Sequence, residues 1–376
     1  MTSPKLRYLG CAVAVALLVS PAQTQDRRAH LKQNDWAITE ELQDAVDQGL
    51  QWLADQQAPQ GYWRQHIGFK LNTNYNVTKA NAAHVGVTSL ALISFLAGGH
   101  LPGRGEHGEV ITRGLDYVLR CVRDIGYITD NGSRMYSHAF ASLFLAEIYG
   151  MTFRHDIRVE LQKCVNMIVD SQNSEGGWRY KPFARESDMS ITVCQVLALR
   201  SARNVGIAVP ANTIRAAEQY VRRSAVSEGS RRRQMYHFPG YLDDGGAFRY
   251  QLGRHSRATL PLTAAGVTTL FAAGIYDDEI IRRALEFMSS KMPDFNRQYS
   301  GHYFFYYGHY YAVQAFYIAG GQAWTTYFRS IRRQLLDIQQ PSGAWLTTTG
   351  PGEAFSTAVA TLILQIPYQY LPIFQR

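Results

Sequence analysis

A glutamine followed four residues later by glycine and six later by tryptophan occurs three times in this chain. The copies are Gln57, Gly61, Trp63 in "QQAPQGYW", Gln172, Gly176, Trp178 in "SQNSEGGWRY", and Gln339, Gly343, Trp345 in "QQPSGAW". An internal repeat constrains the fold more than composition does, because every copy must find an equivalent environment. Before each copy runs a segment with apolar residues on one helical face: Leu42, Val46, Leu50 and Leu53; Leu161, Val165, Ile168 and Val169; Ile331, Leu335 and Ile338. After each copy comes a segment apolar nearly all round: "HVGVTSLALISFLAGG", "SITVCQVLALRSA" and "FSTAVATLILQIPY". The first kind reads as an outer, half-exposed helix and the second as an inner helix buried on every side.

Three weaker copies complete the series. In "RGLDYVLRCVRDIGYI", Cys121 takes the glutamine's place; "DDGGAFRY" has Phe248 in the tryptophan's place; "IIRRALEFMSS" leads into the tyrosine-rich "FFYYGHYYAVQAFYIAGG". Helix pairs that cannot bury their inner helices alone must stack, and closing the stack removes exposed ends. The expected fold is therefore all-α, an (α/α)6 toroid of six helix pairs over residues 36–376, with an open solenoid as the alternative. Within it the motif reads as a joint. Gly176 and Gly177 stop a helix, Trp178 plugs the space between pairs, and Gln172 serves unpaired backbone groups at helix ends.

The first 25 residues have Lys5 and Arg7, an apolar run from Leu9 to Val19 and small residues at Ser20 and Ala22, the layout of a signal peptide. The expectation is an exported protein, periplasmic or extracellular. No later segment reaches the length of a membrane span. The net charge of +8, partly in Arg231–Arg233, allows peripheral contact with an anionic envelope but lacks the aromatic interleaving of a nucleic-acid surface. Cys121, Cys164 and Cys194 permit at most one disulfide and read as buried free thiols.

The three motif copies, with "GGWRY" and "YYGHYYAVQAFYIAGG", resemble the prenyltransferase and squalene oxidase repeat superfamily, in particular an exported bacterial single-toroid subgroup. The resemblance implies a terpene cyclase-like toroid whose central cavity holds an isoprenoid or other apolar ligand. If the chain is an enzyme, the resemblance implies an isomerase or transferase. Class II cyclases of this group begin with an aspartic acid of a DxDD motif. The matching stretch here is Asp188, Met189, Ser190, Ile191, so the proton-donating position carries a serine. "YDDEII" lacks the last aspartate of a magnesium-binding DDxxD, and Asp278 reads instead as a helix cap. The zinc ligands of protein prenyltransferases have no counterpart. No metal and no cofactor are expected. "GRGEHG" matches GxGxxG but follows no strand.

Polar residues on otherwise apolar inner helices need a partner or a purpose. On that ground Asp188, His138 and His309 are candidate acids or bases, and Tyr136, Ser190, Arg257, Tyr306 and Tyr310 candidate ligand contacts. The structural reading makes Asp188 a helix cap and the histidines, His84 included, hydrogen-bonding partners of neighbouring helices. Two other functions compete with the isoprenoid one. One is a non-catalytic envelope scaffold or binding module. The other is a carbohydrate-active toroid, which would need two of the inner-helix carboxylates Glu147, Asp188 and Glu353 across one groove for hydrolysis.

Overall fold

Helix boundaries in the computed structural model, which describes residues 36–71, 74–152, 154–226, 245–253 and 256–374, fall at side chains able to cap them. Thr39, His84, Asp188, Thr259 and Asp278 each accept an orphan backbone N–H of the first turn that follows. Residues 1–25 and Arg231–Arg233 lie outside the described residues.

Among the described residues there are six helix pairs. They are α1 (Glu40–Gln56) with α2 (Val85–Ala97), α3 (Gly108–Arg120) with α4 (Met135–Thr152), and α5 (His155–Asp170) with α6 (Met189–Asn204). Then come α7 (Ala211–Ser224) with α8 (Leu260–Ala272), α9 (Glu279–Tyr299) with α10 (Tyr303–Ala319), and α11 (Gly321–Ile338) with α12 (Glu353–Gln365). The first member of each pair buries one stripe, as α1 does with Leu42, Val46, Leu50 and Leu53. The second is buried nearly throughout; in α2 every residue is. Each inner helix packs on the next, and α12 packs on α2, so the ring closes. The all-α toroid expected from the repeat is the fold.

The motif makes the same four hydrogen bonds in each intact copy. Trp63, Trp178 and Trp345 donate their indole N–H to Leu53, Ile168 and Leu335 of the preceding outer helix, at 2.7 to 2.8 Å. Their backbone N–H groups donate to Thr88, Thr192 and Thr357 of the following inner helix. The glutamine amides bridge to the next pair: Gln57 donates to the carbonyls of Gly61 and Val110, Gln172 to those of Gly176 and Thr213, Gln339 to those of Gly343 and Ala45. Gln339 thereby joins the last pair to the first helix. Gly61, Gly176 and Gly343 have φ near +90°, and a β-carbon on them would come within 2.1 to 2.3 Å of a carbonyl oxygen on the next outer helix. Cys121, Cys164 and Cys194 are buried and free.

One element departs from the helical expectation. Between the first motif and α2 the chain forms an antiparallel hairpin, β1 (Arg64–Leu71) and β2 (Asn74–Ala83), irregular around Ile67. The hairpin is pinned at its sides: His66 N–H donates to the Pro351 carbonyl at 2.7 Å, Asn131 donates to the Ala83 carbonyl at 3.0 Å, and Lys79 meets the Asn131 side chain.

Candidate functional site

The inner ring encloses a cavity of about 570 Å³, within the roughly 300–1,000 Å³ usual for small-molecule sites. Its walls come from the first two turns of the inner helices: Val87 and Leu90, Tyr136 and Phe140, Ser190, Leu262, Tyr303, Phe304, Tyr307 and Tyr310, Phe355 and Val359. The cavity therefore sits at the end of the ring where the inner helices begin. The hairpin supplies Ile67, Phe69, Lys70 and Tyr75 there, and the loops add Arg134, Tyr180, Tyr250 and Arg257.

The hairpin lies on aromatic and cationic contacts. Phe69 takes the Arg134 guanidinium on its ring at 5.1 Å, Lys70 Nζ lies 3.1 Å above the centre of the Phe304 ring, and Tyr75 meets Tyr303 edge-on at 5.5 Å. Arg257 stacks over Tyr250 at 4.8 Å. Three cations line the cavity, and no carboxylate does among the described residues. Burial, and then the neighbouring Arg257 charge, brings the Lys70 ammonium down to about 7. Burial pushes the phenols of Tyr136, Tyr307 and Tyr310 well above their ordinary range, so they act as neutral hydroxyls.

The candidates divide by which way they face. Tyr136, Ser190, Arg257 and Tyr310 line the cavity. Tyr306 turns away and donates its hydroxyl to the Leu346 carbonyl at 2.9 Å. Asp188 is fully buried behind the wall, capping α6 through the Ile191 N–H at 2.9 Å. Desolvation raises its carboxyl to about 7 against the pull of that N–H. Its neighbours Tyr180 and Tyr250, whose hydroxyls meet at 2.9 Å, are the side chains that reach the cavity. His309 is held between the Tyr327 hydroxyl and the Asn296 side-chain oxygen, both at 2.8 Å, on the far side of α10. His138 accepts the Ile128 N–H at 3.1 Å. Burial holds both imidazoles neutral, down to about 3. His84, which does line the cavity, caps α2 and is lowered to about 4 by burial. The hydrolase reading needs two of three carboxylates across one groove, and none of the three lines the cavity. Glu147 is buried against Ser201, Asp188 caps α6, and Glu353 is exposed at the start of α12. Among the described residues no cluster of three metal-ligating side chains occurs.

Sequence reasoning missed Lys70, Tyr75, Arg134, Tyr180 and Tyr250. Two of these carried a signal in the repeat: Tyr180 and Tyr250 follow Trp178 and Phe248 by two residues.

No family model and no curated protein sequence matches the chain. Solved structures do match it. An alpha-1,6-mannanase of Salegentibacter sp. HEL1_6, in complex with alpha-1,6-mannotriose, aligns with a TM-score of 0.60 at 7% identity, over 88% of this chain and 98% of that one. The type II terpene cyclase MstE from Scytonema, in complex with its substrate geranylgeranyl dihydroxybenzoate, aligns at 0.53 and 12% identity, over 92% and 99%. Cellobiose 2-epimerase from Bacillus thermoamylovorans aligns at 0.58 and 11% identity, over 89% and 100%. The protein thus has an (α/α) toroid fold related to both terpene-cyclase-like and carbohydrate-active toroid enzymes.

Proposed function

We propose that the protein binds an apolar, isoprenoid-like small molecule in its central cavity. The observation that carries this reading is the wall of the cavity, built from aliphatic and aromatic side chains at the start of the inner helices with no carboxylate among them. Such a wall gains free energy by removing an apolar chain from water, and its tyrosine rings suit a ligand with unsaturation. The cyclase of the same fold, solved with geranylgeranyl dihydroxybenzoate, is consistent with it. Ser190 stands at the position of the cyclase acid, and Asp188 is buried behind the wall, so the reading is one of binding and does not include a protonation step. An exported setting, from residues 1–25, is part of the proposal.

The test is titration of the purified protein with farnesol and geranylgeraniol, followed by calorimetry and native mass spectrometry. One-to-one binding is expected, weakened by Leu262→Glu, which puts a charge in the apolar wall. Absence of binding by any prenyl alcohol contradicts the reading.

The second reading is a carbohydrate-active toroid, favoured by the TM-score of 0.60 to the mannanase. Hydrolysis by paired carboxylates has no residues to use in this cavity, so this reading takes the form of sugar binding or of epimerisation, the activity named for the cellobiose 2-epimerase. Mannotriose or cellobiose binding, in a protein that ignores prenyl alcohols, would favour it.

A further inference from the structure

The mouth of the cavity is supplied with hydrogen-bond donors and is short of acceptors. Lys70 from β1 and Arg257 from the loop before α8 both line the cavity, and the Arg257 charge acts on the Lys70 ammonium. Among the described residues neither has an ion-pair partner, while carboxylates do accompany Arg179, Arg222 and Arg282 at the surface. Both cations lie on aromatic faces, Phe304 beneath Lys70 and Tyr250 beneath Arg257. Beside them the Tyr303 hydroxyl is buried and has no hydrogen-bond partner, although it lines the cavity; deeper in, the same holds for Tyr310. Two like charges and an unused hydroxyl are costly together unless something that accepts hydrogen bonds comes between them. The inner helices also begin at this end of the ring, so their positive dipole ends point the same way.

We infer that Lys70, Arg257 and Tyr303 form an oxyanion-binding subsite at the cavity mouth, and that the ligand is an amphiphile with a carboxylate, sulfate or phosphate-monoester head. The apolar tail lies toward Leu262, Tyr310 and Val359, and the head stays under the hairpin. Recognition is by direct contact with cations, since no carboxylate lines the cavity that would hold a bridging divalent metal ion. The subsite depends on the hairpin, an insertion that no other helix pair shows among the described residues.

This inference rests on the reading of the cavity as an apolar-ligand site, and a matched pair of probes separates the two. Farnesoic acid and farnesol share a carbon skeleton and differ at the head. Calorimetric titration of the full chain at pH 6.5 should show the acid binding about tenfold or more tighter than the alcohol, the range of a charged hydrogen bond. Lys70→Met and Arg257→Gln should each remove about tenfold of acid affinity and leave the alcohol within about twofold, while Lys70→Arg keeps the preference. Farnesyl phosphate and farnesyl sulfate, titrated in parallel, rank the head groups. Melting temperatures check folding; Lys70→Met is the second variant should Arg257→Gln not fold. Equal affinity for acid and alcohol overturns the subsite and leaves the apolar reading standing. An acid preference that survives both neutralising variants also overturns it. Binding of neither probe overturns both.

Discussion

His138 occupies on α4 the place that Thr88, Thr192, Thr263 and Thr357 occupy on four other inner helices. Each accepts the backbone N–H two residues after the motif glycine, the tryptophan's place in the intact copies; in the second pair that glycine is Gly126 and the residue Ile128, one position later than counting from Cys121 gives. Where that residue is Ile128, the smaller plug leaves room for an imidazole. A polar residue on an apolar helix is thus explained by the repeat before any chemistry is invoked. Glu147 gives a sharper test of burial. Its carboxyl accepts from Ser201 and is raised by desolvation to about 7. A raised carboxyl stabilises the fold below the unfolded-state value and loses that contribution as pH rises through the folded one. The protein should lose stability on this account between pH about 4.5 and 7, by up to about 1.4 kcal/mol per pH unit. Glu147→Gln removes the loss, so its stability relative to wild type should grow from pH 5 to pH 8 in urea titrations. Parallel profiles would refute the assignment. Lys70 makes the complementary prediction for binding. It pairs across the hairpin with Tyr75 of β2 and shares the cavity with Arg134, Arg257 and Tyr303, and burial, then the Arg257 charge, brings its ammonium down to about 7. Affinity for farnesoic acid should fall from pH 6 to pH 8.5 as that charge is lost, while affinity for farnesol stays level. A flat acid profile would exclude Lys70 from the head-group contact.

At the scale of elements, the joints between pairs and the hairpin make different demands. Gly176 has φ +92°, and a β-carbon there would lie 2.3 Å from the Ala216 carbonyl oxygen. Gly176→Ala should destabilise by more than about 2 kcal/mol, and Trp178→Ala by about 3 to 5 kcal/mol, measured by chemical denaturation. Losses below about 1 kcal/mol in both would contradict the role given to the motif. The hairpin lies over the end of the inner ring and takes no part in the contacts between successive inner helices, so replacing residues 65–82 by a short Gly-Ser turn should leave helical content by circular dichroism and abolish the preference for an acidic ligand. The two elements also differ in how far the sequence reveals them. The helix pairs are legible because their apolar residues recur with helical period and because the inner segments have no polar face. The hairpin breaks the repeat. Its alternation, Ile67, Phe69 and Leu71 against Tyr75 and Val77, is diluted by asparagines and threonines, and Val77 is exposed.

At the scale of the molecule, closure of the ring decides which polar residues meet. Tyr136, Ser190, Arg257 and Tyr310 are recognisable in the sequence as polar residues on or just before inner helices. So are Asp188, His138, His309 and Tyr306, which face away from the cavity and are bonded to backbone or neighbouring helices. Direction around a helix with no polar face leaves no periodic trace, and Lys70 reaches the cavity only through the hairpin's path. The central claim is that an apolar chain occupies the space between the inner helices. It is tested most directly by photo-crosslinking the intact protein with a prenyl acid carrying a diazirine at the tail end, then mapping the adducts by mass spectrometry. Labelling is expected on α2, α8, α10 and α12, at or next to Leu90, Leu262, Tyr310 and Val359, and suppressed by excess farnesoic acid. Labelling confined to the outer helices, or indifferent to competitor, would contradict it.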